Sequence, residues 1–306
     1  MQSVDLAIIG AGPAGLSAAI YGSRGGLKTM IFESNMIGGQ IVLTNEVENY
    51  PGFEDTLSGF DLVEKMRLQA LKFGAEIKDT TVLSINISDT IKEIITSEGN
   101  FQAKTIIVAT GASPRKLEVP GEYRLIGRGV SYCATCDGAL YRGKKVAVVG
   151  GGDSAVEEAV FLTKFAAKVY LIHRREELRA VYSIRQQAQK NEKLEFILNT
   201  VVQEINGEKQ VQSLSLFNKK TNQSSELTLD GVFIYVGIVP NNELIKDLLD
   251  IDHQGFVITN ENMETNIQGL YVAGDLRKKT LRQVVTATSD GAIAGFWAEK
   301  YIQENT

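Results

Sequence analysis

The sequence predicts an α/β protein of two domains, the second inserted in the first, and three observations predict it. The order strand, glycine-rich turn, helix, strand occurs twice, with turns opening at Gly10 and Gly150. The two copies share their internal spacing: Gly10 to Gly150 is an offset of 140 residues, and so is Glu33 to His173. A further strand and turn, Gly269 to Asp275, follows the second copy with too little chain after it for a third such unit. That tail is expected to return and complete the first domain.

Taken in order, Val4-Asp5-Leu6-Ala7-Ile8-Ile9 is the first strand signal. It enters Gly10-Ala11-Gly12-Pro13-Ala14-Gly15, a helix is expected from Leu16 to Arg24, and Thr29 to Phe32 is a second strand ending at Glu33. An acidic residue 23 positions after the first glycine fits a Rossmann-like dinucleotide fingerprint. Thr105 to Gly111, with Thr110 and Gly111 at its end, closes the unit, and Pro114 and Pro120-Gly121 suggest a linker. The second copy runs from the strand Lys145 to Val149, through Gly150-Gly151-Gly152-Asp153-Ser154-Ala155, to a helix over 156–164 and a strand over 168–172. It closes at Val232 to Gly237. A helix from Gln283 to Tyr301 ends the chain. The expected domains are 1–115 with 244–306, and 116–243 between them.

Composition narrows the function classes. Over 306 residues, 43% are apolar and 23% charged, which supports sizeable cores and excludes a wholly disordered chain. The formal net charge of -5 lacks the basic footprint of a nucleic-acid binder. No apolar run reaches the roughly 18 residues of a membrane span, and the first residues lack a basic signal-peptide start, so the expected location is the cytoplasm.

The two turns are expected to hold different dinucleotides. Glu33 can accept hydrogen bonds from ribose hydroxyls, which suits FAD or NAD. The second copy instead carries His173, Arg174, Arg175 and Arg179, and clustered arginines suit the 2′-phosphate of NADPH. Gly12, Pro13, Ala14 and Gly15 in one turn, and Gly152, Asp153, Ser154 and Ala155 in the other, are the candidate phosphate contacts.

The only two cysteines are Cys133 and Cys136. With two histidines in the whole chain, no metal site is expected. A CxxC pair can close a small disulfide and exchange it with a partner. Asp137 follows directly; it reads both as a proton carrier for the dithiol and as the first residue of an Asp-Gly turn, and the two are compatible.

These segments together resemble the low-molecular-weight, bacterial-type thioredoxin reductases over essentially the full length. The marks are GAGPAG (10–15), GGQ (38–40), VENYPG (47–52), ATGASP (109–114), CATCDG (133–138), GGGDSAVEEA (150–159), HRREELRA (173–180), GLYVAGD (269–275) and RQVVTA (282–287). The resemblance implies three-layer ββα domains, a homodimer, FAD in the split domain, and NADPH in the inserted one. It implies a flow of electrons from NADPH through FAD to a Cys133–Cys136 disulfide and on to thioredoxin. Gly39, Gln40 and Asn49 would line the flavin, Asp275 would meet its ribityl side, the backbone around Gln283 and Val284 would face its ring edge, and Gly10, Thr110, Gly111, Gly274 and Arg282 are further expected cofactor-binding residues, with Gly150 in the second turn. Cys136 would face the flavin and Cys133 would attack the partner. A rotation of one domain against the other, hinged near 113–120 and 239–245, is expected with this chemistry. Two departures stand out: Ser289 where relatives often have Gly, and Ala139-Leu140 where several carry two aromatics that help dock thioredoxin.

Overall fold

A computed structural model describes residues 2–44, 47, 49–88 and 91–305. Glu48 of the VENYPG segment lies outside them. The chain divides into two compact units, one built from the first 43 residues, 47–113 and 239 to the end, the other from Pro114–Ile238.

In the first unit the parallel strands run Glu76–Asp79, Thr29–Glu33, Gln2–Ile9, Gly99–Val108 and Leu270–Val272. The strand Gly99–Val108 does double duty. Its second half pairs in parallel with Leu270–Val272. Its first half pairs with the antiparallel strands Lys92–Thr96 and, beyond, Val82–Ile87. The apolar run Leu6 to Ile9 of the first strand is explained by what covers each face. Leu6 and Ile8 point to a core shared with the helices Pro13–Arg24, Gly59–Lys72 and Val284–Asn305. Val4, Ala7 and Ile9 point to a second core with Ile85, Ile94 and Phe101 of the antiparallel strands and Ile245 and Leu249.

The second unit repeats the plan. Leu194–Ile197, Lys168–Ile172, Lys145–Gly150, Gly231–Tyr235 and Val130–Ser131 form a parallel sheet. Val146 and Val148 pack toward Ala155, Val156, Ala159 and Leu162 of the helix Asp153–Leu162. Ala147 and Val149 pack toward Val202, Ile205, Leu214 and Leu216 of an antiparallel sheet over 200–228. Both units are therefore Rossmann-like, with a sheet between a helical layer and a second β layer.

The helices begin earlier than the sequence spacing predicts. The first starts at Pro13, whose fixed φ and missing N–H suit a first helical position. The second starts at Asp153 and ends at Leu162. The end of each glycine motif is thus the first turn of a helix. The segments joining the units, Ala112–Pro114 and Ile238–Pro240, pair with each other. At the later one the chain rejoins the first unit five residues sooner than expected. Asn241 is the reason: its carbonyl accepts from Thr110 Oγ1 at 2.6 Å, its amide donates to Thr110 O at 2.8 Å, and its Oδ1 accepts from Ser113 Oγ at 3.0 Å.

The first and last helices meet through small residues. A Cβ on Gly291 would fall on the carbonyl of Ala14, and one on Gly295 would come within 2.8 Å of Ala18 O. Ser289, by contrast, is exposed, so no close approach demands Gly there. Gly291→Leu is expected to destabilise the protein by roughly 1–3 kcal/mol or more through overpacking. Gln303→Leu, on the exposed part of the same helix, should change stability by under about 0.5 kcal/mol. Denaturant melts of the two variants check this.

Candidate active site

Each glycine turn is shaped by where a side chain cannot go. Gly10 has φ +103° and a Cβ there would lie 2.5 Å from Ala109 O; a Cβ on Gly15 would fall on Gly10 O. In the second turn a Cβ on Gly150 would meet both Ala155 Cβ and Tyr235 O at 2.5 Å. The middle glycines differ: around Gly12 and Gly152 nothing stands within 4 Å of a built Cβ. The outer positions are thus closed by the protein itself, and the middle ones leave open space at a helix start.

Around the first turn, Glu33 Oε2 accepts the Ala11 N–H at 2.7 Å and Oε1 accepts from Ser34 N and Asn35 N. The carboxylate is placed beside the turn, as its spacing predicts. Gly39 and Gln40 are exposed at the start of the turn Gly39–Leu43, and Gly111, at φ +71°, also faces open space. Asn49 Nδ2 donates to Gln283 Oε1 at 3.1 Å, bringing two expected flavin-lining residues together across 234 positions of chain. Asp275 Oδ1 is buried and accepts no hydrogen bond among the described residues, although Lys279 Nζ stands 3.4 Å away as an ion pair. Burial pushes the Asp275 carboxyl above its usual range, and the charges of Lys279 and Arg282 oppose that. A buried carboxylate oxygen without a hydrogen bond, on the turn whose Gly274 comes close to Ala14 of the first helix, fits a polyhydroxylated dinucleotide that would donate to it. Arg282 stacks over Phe256 at 4.1 Å, just before the helix Val284–Asn305 begins.

One residue here escaped the sequence reading. Asp290 is buried in the last helix, where Oδ2 accepts from Gly274 N at 3.1 Å and Lys279 Nζ at 3.0 Å, and Oδ1 from Arg277 Nη1 at 3.0 Å. It thereby ties the Gly274–Asp275 turn to the helix. Its signal was an acid at the spacing of the buried Ala287 and Ala294, three residues after one and four before the other.

Around the second turn, His173 lies beneath the backbone rather than beside it. Its ring is 5% exposed and so close to Gly151 that any Cβ there would strike it. Burial, with the charges of Arg179 and Arg174, holds its pKa below the usual value, which favours the neutral ring. The chain then folds back: Arg179 N and Ala180 N donate to Gly151 O, and Val181 N to Asp153 Oδ1. Arg174, Arg175 and Arg179 are exposed, and none forms an ion pair among the described residues. Three uncommitted guanidiniums beside an open glycine suit a phosphate-bearing ligand.

The cysteines form a disulfide, with Cys133 capping the short helix Ala134–Asp137. Cys133 Sγ accepts from Cys136 N at 3.2 Å, and Cys133 N donates to Ser131 Oγ at 3.1 Å. The Ser131 hydroxyl in turn donates to Asp137 Oδ2 at 2.6 Å. Burial raises the pKa of Asp137 and the Ser131 hydrogen bond opposes it. Asp137 ends the short helix, and its half-buried carboxyl is linked through the Ser131 hydroxyl to the Cys133 amide.

The chain matches the model of the pyridine nucleotide-disulphide oxidoreductase family over residues 4–291. It is 49% identical to a thioredoxin reductase of Peptoclostridium litorale, with 99% of each chain covered. It is 48% identical to a thioredoxin reductase of Listeria innocua, covering 98% of this chain and 94% of the relative. The solved thioredoxin reductase of Streptococcus pyogenes superposes with a TM-score of 0.91 at 45% identity, with 99% of each chain covered.

Asp290→Ala should cost about 3–5 kcal/mol, because it strands two largely buried cations, whereas Glu176→Ala, which breaks the exposed pair with Lys220, should leave stability essentially unchanged. Chemical unfolding of the two variants under one buffer distinguishes the cases. With a fold repeated on both sides of a closed cysteine pair and relatives matched end to end, the chain belongs to the pyridine nucleotide-disulphide oxidoreductase family, among its thioredoxin reductases.

Proposed function

We propose that this protein is an NADPH-dependent flavoprotein that reduces the disulfide of thioredoxin, with Cys133 and Cys136 as its redox pair. The observation that carries the reading is the disulfide itself, closed around one turn with the carboxyl of Asp137 beside it. The reading assigns FAD to the first unit, held by Gly12, Glu33, Gly39, Gln40, Asn49, Gly111, Asp275, Gln283 and Val284. It assigns NADPH to the second, held by Gly152, Ser154, Arg174, Arg175 and Arg179. It includes a homodimer working in the cytoplasm; no helix among the described residues is long and apolar enough to cross a membrane.

When bound, the flavin supplies a two-electron carrier between the nicotinamide and the disulfide. The remaining work belongs to the chain. The Cys133 thiolate attacks a sulfur of the partner disulfide, forming a mixed disulfide and releasing one partner thiolate. Cys136 then attacks Cys133 Sγ, which restores the internal disulfide and releases the second partner thiolate. Asp137, with burial favouring its protonated form, can hold the proton that a departing thiolate takes up. Ser131 keeps that carboxyl in place.

The purified protein should be yellow, should bleach on addition of NADPH, and should then reduce thioredoxin; a protein without a flavin spectrum refutes the reading. Replacing Arg175 and Arg179 by neutral residues should raise KM for NADPH by about tenfold or more per lost charged contact, and change KM for NADH little. Steady-state kinetics with both cofactors read this out. Cys136→Ser should trap a covalent complex with oxidised thioredoxin and Cys133→Ser should not, as seen on non-reducing gels.

A further inference from the structure

The turn between the two cysteines carries a side chain that the reaction above does not use. Cys133 is extended and stands at the N-cap of the short helix Ala134–Asp137, so its sulfur occupies the place where a capping oxygen accepts an amide. The Cys136 N–H fills that role at 3.2 Å. Thr135 lies between them, at the second helical position, where a side chain leans back toward the N-terminus. Its Oγ1 stands 3.3 Å from Cys133 Sγ. A sulfur in a disulfide has no hydrogen to give, so the threonine hydroxyl is the donor. A backbone donor and a side-chain donor therefore converge on Cys133 Sγ. Thr135 is exposed and Cys133 half-buried, so it is the geometry of the turn, not burial, that brings the hydroxyl to the sulfur.

We propose that Thr135 is a catalytic residue of the redox pair: its hydroxyl donates to Cys133 Sγ and holds the thiolate formed there once the disulfide opens. Two-electron reduction breaks the S–S bond and, with one proton taken up at Cys136, leaves Cys133 as the thiolate. A hydrogen bond to a neutral disulfide sulfur is weak, whereas the same hydroxyl facing a full negative charge makes a charge-assisted bond. A bond to the charged form favours that form, so Thr135 lowers the pKa of Cys133 and enlarges its thiolate fraction near neutrality. The other titratable groups about the turn are Tyr132 before it, Asp137 on it and Tyr141 after it. The strand Gly231–Tyr235 adds Tyr235, whose hydroxyl accepts the Ala134 amide, and the helix Asp153–Leu162, packed on the cysteine helix, adds Glu158. All of them stay the same when residue 135 alone is exchanged, so a change in Cys133 on that exchange belongs to the hydroxyl.

The inference rests on the redox reading of the cysteines, and its test needs neither NADPH nor thioredoxin. In the full-length flavoprotein carrying Cys136→Ser, Cys133 is the only thiol of the chain. After treatment with a phosphine and its removal, alkylation by iodoacetamide is followed from pH 5 to 10. Adding Thr135→Val, which exchanges the hydroxyl for a methyl of similar size, should move the midpoint of the profile up by about 0.5–1 pH unit. The rate well below both midpoints should fall about twofold to fourfold, while the plateau above them should be equal or slightly higher, because a more basic thiolate is the better nucleophile. Thr135→Ser, which keeps the hydroxyl, should hold the midpoint within about 0.2 pH unit of the parent. The proposal is overturned by a Thr135→Val midpoint equal to the parent's, by a loss of rate by one factor at every pH, or by a Thr135→Ser midpoint displaced as far as that of Thr135→Val. Flavin content and circular dichroism of each variant establish that it is folded. Should the midpoints move as expected while the wild-type protein leaves the disulfide of thioredoxin intact, the role of Thr135 stands and the partner reading falls.

Discussion

Where two backbones pass within van der Waals distance of each other there is no volume for a Cβ, and this chain reaches that limit at the same point of both units. Gly10 lies against Ala109 and Gly15 against Gly10; Gly150 lies against Tyr235 and Ala155. These contacts bring the first strand, the strand paired to it and the following helix into register. That register leaves Gly12 and Gly152 facing open space with a helix start behind them. A larger residue at the closed positions would push the helix off the sheet and move the open positions with it.

Around that constraint the two sites solve their electrostatics differently. The first is rich in buried, paired charge: Asp290 binds two cations and a backbone amide, and Lys279 is shared with Asp275. Buried pairs of this kind contribute less to net stability than to a single arrangement of the loop, since each partner is costly without the other. The second site keeps its cations exposed and unpaired on a loop anchored at Gly151 and Asp153. Rigid backbone with uncommitted guanidiniums is what recognition of an incoming phosphate requires.

The dithiol occupies a third kind of environment. Its own turn supplies the hydrogen bonds around Cys133, and its acid–base character comes from what surrounds the turn. Asp137, Tyr141, Tyr235 and Glu158 all have ionisations shifted upward, chiefly by burial, with Tyr141 reaching about 12.

The sequence by itself determined the repeated glycine turns, the apolar strands that enter them, Glu33 and the arginines at equal spacing, and the CxxC with its acid. Each is a local pattern whose physics acts over a few residues: chain reversal without a side chain, an apolar run buried on two faces, and charge placed next to a turn. The tertiary structure decided what depends on distant residues. Asn49 meets Gln283, Gly274 meets Asp290, and Ala134 meets Tyr235 across 101 positions. It also buried His173 beneath Gly151, where spacing alone placed it beside a ligand, and it extended the first helix back to Pro13. The antiparallel strands Val82–Ile87 and Lys92–Thr96, and the sheet over 200–228, carried no local signal in the sequence. Their side chains become core only once a parallel sheet is there to pack against, and burial is a property of the folded neighbourhood that no single segment carries.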